Sequence, residues 1–556
     1  MKTKIILLTS ILFLSIAGVF AQYSGETGPL TWNLNVATAT LTISGEGEMP
    51  NYDKYVNSYA PWYFAHEFFQ TVVIESGVTN ISNKAFYASS ELISINIPNT
   101  VTKIGNKAFH FCLQLTSVEI PNGVTSIGDM AYYGCTELLS MSIPESVTTI
   151  GEEVFYYCNK LTAINVANDN SHYTSNDGVL FNKSKSALLC CPAGKKGVYV
   201  VPDNVTHIEM GAFLNCRNLT AISTPNSLKG IGNRAFYYCD SIVAINLSNG
   251  ITSIGEEAFA YCTNLLSINI PNALTRISDH TFFLCNGLTS IVIPNNVFLI
   301  GAFAFYACAN LTSITIPCSV KGFGFKSLAA CYNLSEIINL NTEPVSINSC
   351  VFASDDLCMY IPADITLRVP NSAVDAYKIA YVWKVFNVEG GGILVNPIPN
   401  NTKYGYTKGD GLYELDTTAT VTATALPGYQ FVNWTKNGEE VSTDTSYTFT
   451  VAEDVELVAH FEDDGTGAGI VETRLTAPLQ VYPNPTTGEI RIENYELGIE
   501  GVEVFDVYGR KQTSHHASPH TSHSSSLIDI SHCSAGTYFL RITTKKGIVT
   551  KKIVKY

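Results

Sequence analysis

A unit of 23 residues is repeated through the first two thirds of this chain, and that period constrains the fold more than any other property. One copy, Leu115 to Cys135, reads Leu-Thr-Ser-Val-Glu-Ile-Pro-Asn-Gly-Val-Thr-Ser-Ile-Gly-Asp-Met-Ala-Tyr-Tyr-Gly-Cys, and Leu138 opens the next. The cysteine slot recurs at Cys112, Cys135 and Cys158, then at Cys216, Cys239, Cys262, Cys285, Cys308 and Cys331, in steps of 23 within each run. Ser89 fills the slot before Cys112, which makes ten recognisable copies. A fixed period in this range predicts a solenoid, because no copy can bury its own apolar side and each must stack on its neighbours. Solenoids usually serve to hold partners.

Within a copy, Val118 and Ile120 alternate with Ser117 and Glu119, the period of a half-buried strand. Pro121 ends the strand because it cannot donate to a ladder. Val124 and Ile127 turn inward next, Gly128 makes a turn, and Asp129 to Tyr133 form one short helical turn that inserts Tyr132. Other copies place Phe86, Phe109, Phe155, Phe236, Phe259, Phe282 and Phe305 there. The fold class expected is a β-rich leucine-rich-repeat solenoid, a parallel strand plus a short helical turn per coil, followed by two small all-β domains. A three-sided parallel β-helix is the competitor; it is less favoured because each copy shows a single alternating segment. At about 4.8 Å per coil, the array predicts a rod of roughly 50 Å.

The whole chain, at 556 residues, exceeds one core, and charged residues make up only 15%. A net charge of −15 argues against a nucleic-acid partner that would need a basic stripe. Residues 1–21 have the form of a signal peptide: Lys2 and Lys4, an apolar run from Ile5 to Phe20, and small residues at the end. Cleavage is expected between Ala21 and Gln22, and no transmembrane segment follows; an uncleaved anchor is the alternative, disfavoured by the shortness of the run. The chain carries 15 cysteines, which in an exported protein normally suggests disulfides. Nine of them hold equivalent places beside the apolar pair of each copy, so a ladder of buried thiols is expected, with disulfides between adjacent coils or zinc as lesser alternatives. Cys190, Cys191 and Cys318 fall outside the array and are not assigned.

The pattern Leu-x-x-Ile-x-Ile-Pro, then Ile-Gly-x-x-Ala-Phe-x-x-Cys, closely resembles the BspA-like class of leucine-rich repeats, over residues 69–340. An insertion at about 165–204 carries Asn176-Asp-Gly-Val-Leu-Phe-Asn182, whose Asp-Gly signals a hairpin. Residues 22–68 are expected to cap the first coil, with Thr31-Trp-Asn-Leu and Leu41-Thr-Ile-Ser-Gly45 as a hairpin and Trp62 beneath it. Residues 341–389, with Leu367 to Tyr377 and Trp383, are expected to cap the last. Over 390–462 the alternating segments Thr420-Val-Thr-Ala-Thr424, Gly428-Tyr-Gln-Phe-Val-Asn-Trp434 and Tyr447-Thr-Phe-Thr-Val451 predict a β-domain similar to the B-repeat modules of internalin-type surface proteins, its aromatic residues mainly core.

Residues 463–475 read as a linker, and 476–556 resemble the C-terminal sorting domain of a type IX secretion system. The motif residues are Pro483, Asn484, Pro485 and Gly488, then Gly509 and Arg510, Gly536 and Tyr538, and the basic Lys551 and Lys552. That resemblance implies the type IX secretion machinery as a partner and a secreted or cell-surface location, outer-membrane associated, on a Gram-negative cell. Two departures bear on docking to the exporter: Cys533-Ser534 stands where the family usually has Leu-Pro, and a polar insertion fills Thr513 to Ser526.

Catalytic and metal patterns are incomplete. The histidines of the insertion, His515, His516, His520 and His523, lie in a Ser-rich tract that reads as solvated. His66-Glu67-Phe-Phe-Gln70 lacks the second histidine of a zinc protease, and Ala193-Gly-Lys-Lys-Gly197 lacks the spacing of a phosphate loop. No enzyme, cofactor or metal is expected. Two recurring rows are the candidates for an extracellular protein or glycan ligand. One is the small outward position of the strand, Ser94, Ser117, Ser140, Ser267, Ser290 and Ser313, with Ala163, Ala221 and Ala244 between. The other follows the helical aromatic: Tyr87, Tyr133, Tyr156, Tyr237, Phe283 and Tyr306, interrupted by His110 and Ala260. For each row, packing between coils is the competing role. The function expected is a secreted or cell-surface binding or adhesion protein; the alternatives are a self-associating matrix component and, less favoured, an unrecognised hydrolase.

Overall fold

The computed structural model describes residues 24–53, 59–465 and, in the tail, 480–482, 489–493, 499–506, 511–516, 525–529, 536–544 and 547–555. Residues to Asp464 form one compact unit and those from Gly465 another.

In the first unit the repeats wind as a solenoid with eight inward positions per copy. In the copy from Leu115 to Cys135, Leu115, Val118, Ile120, Val124, Ile127, Ala131, Tyr132 and Cys135 are all buried. The strand segments pair in parallel from coil to coil, as in Leu219–Ser223, Ala244–Asn246 and Ser267–Ile268. Each coil also carries a second strand that the alternation did not reveal, because it is only two residues long. Asn80–Ile81, Lys103–Ile104, Ser126–Ile127 and Thr149–Ile150 form such a parallel ladder, with the isoleucines in register.

The segment expected as a helical turn closes bonds three residues back, such as Ala108 N–H to the Gly105 carbonyl (3.3 Å) and His110 N–H to that of Lys107 (3.3 Å). The intervening amides face outward along the stack. Lys107, Phe109 and Phe111 donate to the carbonyls of Asp129, Ala131 and Tyr133 in the next coil, each at 2.8 Å. This alternation requires left-handed backbone at two places per coil, for example Lys107 (φ 57°) and Phe111 (φ 59°), or Glu257 (φ 55°) and Tyr261 (φ 63°). Left-handed geometry costs a side-chain-bearing residue about 1–2 kcal/mol, here offset by the bonds between coils.

The inward aromatics stack on one another. Ring centroids lie 5.4 Å apart for Phe86–Phe109 and 5.2 Å for Phe109–Tyr132. After the insertion they lie 5.0 Å apart for Phe213–Phe236 and 5.1 Å for Phe236–Phe259. Such offset pairs add about 0.5–1.5 kcal/mol beyond burial. The nine array cysteines are free and buried, and the thiols donate to the backbone of the preceding coil. Cys135 Sγ lies 3.2 Å from the Phe109 carbonyl and Cys285 Sγ 3.1 Å from that of Phe259. The disulfide of the described residues, Cys350–Cys358, lies outside the array.

At the start, the antiparallel strands Leu30–Asn35 and Thr40–Gly45 cover the first coil, and Thr40–Gly45 pairs in parallel with Thr71–Ile74. Trp62 is buried beneath, its Nε1 donating to the Ala85 carbonyl at 2.8 Å. The insertion forms the hairpin Tyr173–Asn176 and Val179–Asn182 around Asp177 and Gly178, both at positive φ. It interrupts the aromatic stack between Phe155 and Phe213 and separates two hydrophobic clusters. At the far end, Thr366–Pro370, the helix Val374–Ile379 and buried Trp383 close the array.

The sheet does not stop there. Glu336–Asn339, Thr366–Pro370 and Asn387–Pro399 pair in parallel, and Asn387–Pro399 pairs in turn with Val455–Asp463 of the following β-domain. Trp434, Leu457, Ala459 and Phe461 are core residues of that domain.

In the second unit, Ile499–Asp506 lies between Lys511–His516 and Gly536–Thr544, and Gly536–Thr544 pairs with Gly547–Lys555, all antiparallel. His515 and His516 thus end a paired strand rather than lying in a loop; the polar composition of the tract concealed its β-pairing. Gly536 faces Lys555, buried Tyr538 faces Ile553, and Lys551 and Lys552 face Leu540 and Phe539. Pro483, Asn484, Pro485, Gly488, Gly509, Arg510, Ala21 and Gln22 lie outside the described residues, as do His520 and His523.

Candidate binding surfaces

The two rows named from the sequence lie on different faces. On the strand face, Ser117, Ser140, Ser267 and Ser290 are exposed, and Ser94 and Ser313 half-buried. Ladder pairing sets them side by side, Ser290 opposite Ser313 and Ala244 opposite Ser267. Alternation puts their neighbours Ile268, Ile291 and Ile314 in the core.

On the turn face the tyrosine row packs ring on ring. Tyr87–His110 centroids lie 5.1 Å apart, His110–Tyr133 4.7 Å and Phe283–Tyr306 5.3 Å, all close to parallel. Tyr156 is buried, its hydroxyl donating to the Met210 carbonyl at 2.9 Å. Tyr237 is half-buried against Tyr261 at 5.2 Å, and its phenol is pushed up by burial and then by Tyr261. Burial pushes the His110 imidazole down to about 4, and Lys107 adds to the effect; its Nδ1 is buried without a hydrogen-bond partner. The row therefore spends much of its ring surface on packing between coils.

Beside it runs a second row that the sequence reading passed over: Phe111, Tyr157, Tyr238 and Tyr261, at one of the two left-handed positions of each coil. Phe111 is exposed, and the three tyrosines are half-buried. Tyr238 and Tyr261 stack at 4.3 Å, Arg217 lies 5.1 Å over Tyr238, and Arg234 lies 5.9 Å over Tyr237. Arg234 is held by Glu257 of the next coil through two hydrogen bonds of 3.1 and 3.0 Å. The signal was present in the sequence as aromatics directly after the tyrosine row, but the expected helical turn gave no reason for that position to face outward.

The strand face is partly covered. Residues 407–410 of the β-domain overhang the coils carrying Ala244, Ser267 and Ser290 and leave a cleft of about 780 Å³. Two asparagine positions line its floor, Asn246 with Asn269, and Asn249 with Asn272 and Asn295. Asn269 is engaged with the Leu247 backbone (3.0 and 2.7 Å), and Asn272 donates to Asn249 at 3.3 Å. Asn295 donates to the Pro397 carbonyl at 3.3 Å, leaving its Oδ1 buried without a partner. Burial pushes the Asp410 carboxyl up, opposed by its own backbone and by the Asn295 amide. Among the described residues, no group of three or more His, Cys, Asp or Glu could hold a metal ion.

A model of the BspA type leucine rich repeat region matches residues 57–186, 198–297 and 275–369 in six copies, over half of the chain. The chain belongs to the BspA-type leucine-rich repeat family. In this BspA-type protein the divergent InlB B-repeat domain matches residues 398–465, and the secretion system C-terminal sorting domain matches 480–556. It is a secreted, cell-surface protein of Bacteroidetes-type bacteria, and its tail implies the type IX secretion machinery. Among the described residues no helix is long and apolar enough to cross a membrane.

A crystal structure of a leucine-rich repeat protein from Eubacterium ventriosum is 27% identical, with a TM-score of 0.51, over 56% of this chain and 90% of that one. The pneumococcal vaccine antigen PcpA is 19% identical, with a TM-score of 0.44, over 66% and 97%. A leucine-rich repeat protein from Bacteroides ovatus is 22% identical, with a TM-score of 0.36, over 63% and 99%. No protein of curated function matches the chain. The repeat-region model and the Eubacterium ventriosum structure are both of leucine-rich repeat proteins.

Proposed function

We propose that this protein is a surface-displayed binding protein whose solenoid engages an extracellular protein or glycan of a host or neighbouring cell. In this reading residues 22–68 and 341–389 cap the array, and 476–556 serve export and display. The observation that carries it is the aromatic and arginine cluster on the turn face, where Tyr237, Tyr238 and Tyr261 lie with Arg217 and Arg234. Tyrosine and arginine are among the residues most enriched at the centres of protein interfaces. Pre-stacked rings and a guanidinium already held by a carboxylate lose little entropy on docking.

The test is binding of the full mature chain to an array of extracellular-matrix proteins and glycans. Saturable binding is expected, and replacing Tyr238 and Tyr261 together by serine weakens it about 30-fold, the effect of losing about 2 kcal/mol at a hot spot. Concentration-dependent self-association with a blank array would replace this reading by a matrix-forming role.

A further inference from the structure

The overhung cleft on the strand face has features that the rest of that face lacks. Its floor is uncharged, made of Ser267 and Ser290 hydroxyls, asparagine amides and the flanks of Ile245 and Val292. Its roof brings one cation, Lys408, and one anion, Asp410, so the formal charges cancel. At the Asp410 end, Asn295 and Asp410 line the cleft together.

We propose that this cleft binds a neutral oligosaccharide two to three sugar units long, held at one end by Asn295 and Asp410. The inference rests on the reading of the chain as a surface binding protein and names a ligand class and a place for it. Hydrogen-bonding capacity, charge and spacing select the ligand. Sugar hydroxyls both donate and accept, and the lining offers both: amide and ammonium donors, amide and carboxylate acceptors, and hydroxyls of either role. The absence of net charge disfavours an acidic or basic ligand.

The cleft spans three coils, so equivalent groups recur at about 4.8 Å along it, close to the length of one pyranose ring with its bridging oxygen. Residues on one side of an extended peptide recur at about 6.6–6.8 Å and would lose register within the cleft. The preferred occupant is therefore a sugar chain running along the solenoid axis.

The experiment is isothermal titration of the full mature chain with neutral trisaccharides of glucose, mannose, galactose and N-acetylglucosamine in α and β linkage. The controls are trigalacturonic acid, for charge, and an extended Ser/Ala peptide, for spacing. Saturable one-to-one binding of at least one neutral trisaccharide is expected, with none by the controls. Asp410→Asn is expected to weaken it at least about 10-fold, as loss of a bond to a charged acceptor supports, and the separate variant Asn249→Ala about 5-fold, both without lowering Tm. No binding of any neutral trisaccharide at millimolar concentration, binding unaltered by both variants, or preferential binding of the peptide would overturn the proposal. Retained array binding that depends on Tyr238 and Tyr261, alongside a blank titration, would remove the cleft proposal alone. A blank in both would remove both readings.

Discussion

At the scale of single residues, two buried polar groups show how the stack selects its side chains. The cysteine slot was legible from spacing as a small buried position, but spacing did not say why cysteine fills it. Each thiol is small enough for the interior and still reaches a carbonyl of the preceding coil, as Cys308 reaches Phe282 at 3.3 Å. Burial raises these thiols, pushing Cys262 up to about 12, so they stay protonated at neutral pH. His110 shows the opposite sign. Its imidazole is held at about 4 against an ordinary 6.5, so the folded chain favours the neutral ring while the unfolded chain takes up a proton first. Its contribution is complete above pH 6.5 and is lost as pH falls through about 4. Thermal unfolding of His110→Phe should therefore fall less steeply with acid than the parent over that window. Parallel acid limbs would show that this ring does not titrate as described.

At the scale of the coil, Gly128 marks a close approach rather than a special dihedral. A Cβ on Gly128 would collide with Asn106, whose Oδ1 accepts the Asp129 N–H at 2.9 Å in a ladder repeated by Asn83 with Asn106 and by Asp129 with Glu152. Gly128→Ala is expected to destabilise by about 1–3 kcal/mol through overpacking, and Phe259→Ala by about 3–5 kcal/mol through an unfilled cavity in the ring stack. Chemical denaturation of the full chain measures both, and a change below about 0.5 kcal/mol for Gly128→Ala would mean that the neighbouring coil yields. The inward positions and the first strand could be read from the sequence, because alternation over four or more residues leaves a periodic trace. The two-residue second strand leaves none. Nor could the left-handed pairs be read, since Lys107, Glu257 and Tyr261 carry no local preference for positive φ, and bonds between coils impose it. The Tyr238–Tyr261 face stayed hidden for the same reason.

At the scale of the first unit, the unbroken run of parallel strands from Glu336–Asn339 through Asn387–Pro399 to Val455–Asp463 joins solenoid and β-domain by backbone. Arg368 reinforces the junction, pairing with Glu336 at 2.7 Å and Glu389 at 3.6 Å on the strands to either side. Being partly exposed, these pairs contribute at most about 1 kcal/mol; the continuous ladder is the stronger tie. Calorimetry of the full chain is expected to show the β-domain melting with the adjoining coils. A separate early transition assigned to residues 400–462 would contradict a shared sheet. The overhung cleft depends on this junction and was invisible to sequence reasoning, which treats the two modules one at a time.

Because successive copies on either side of the insertion give and receive the same bonds at the same places, a whole unit there can be gained or dropped without leaving its neighbours unmatched. Duplication in register then becomes a means of altering the length of the solenoid.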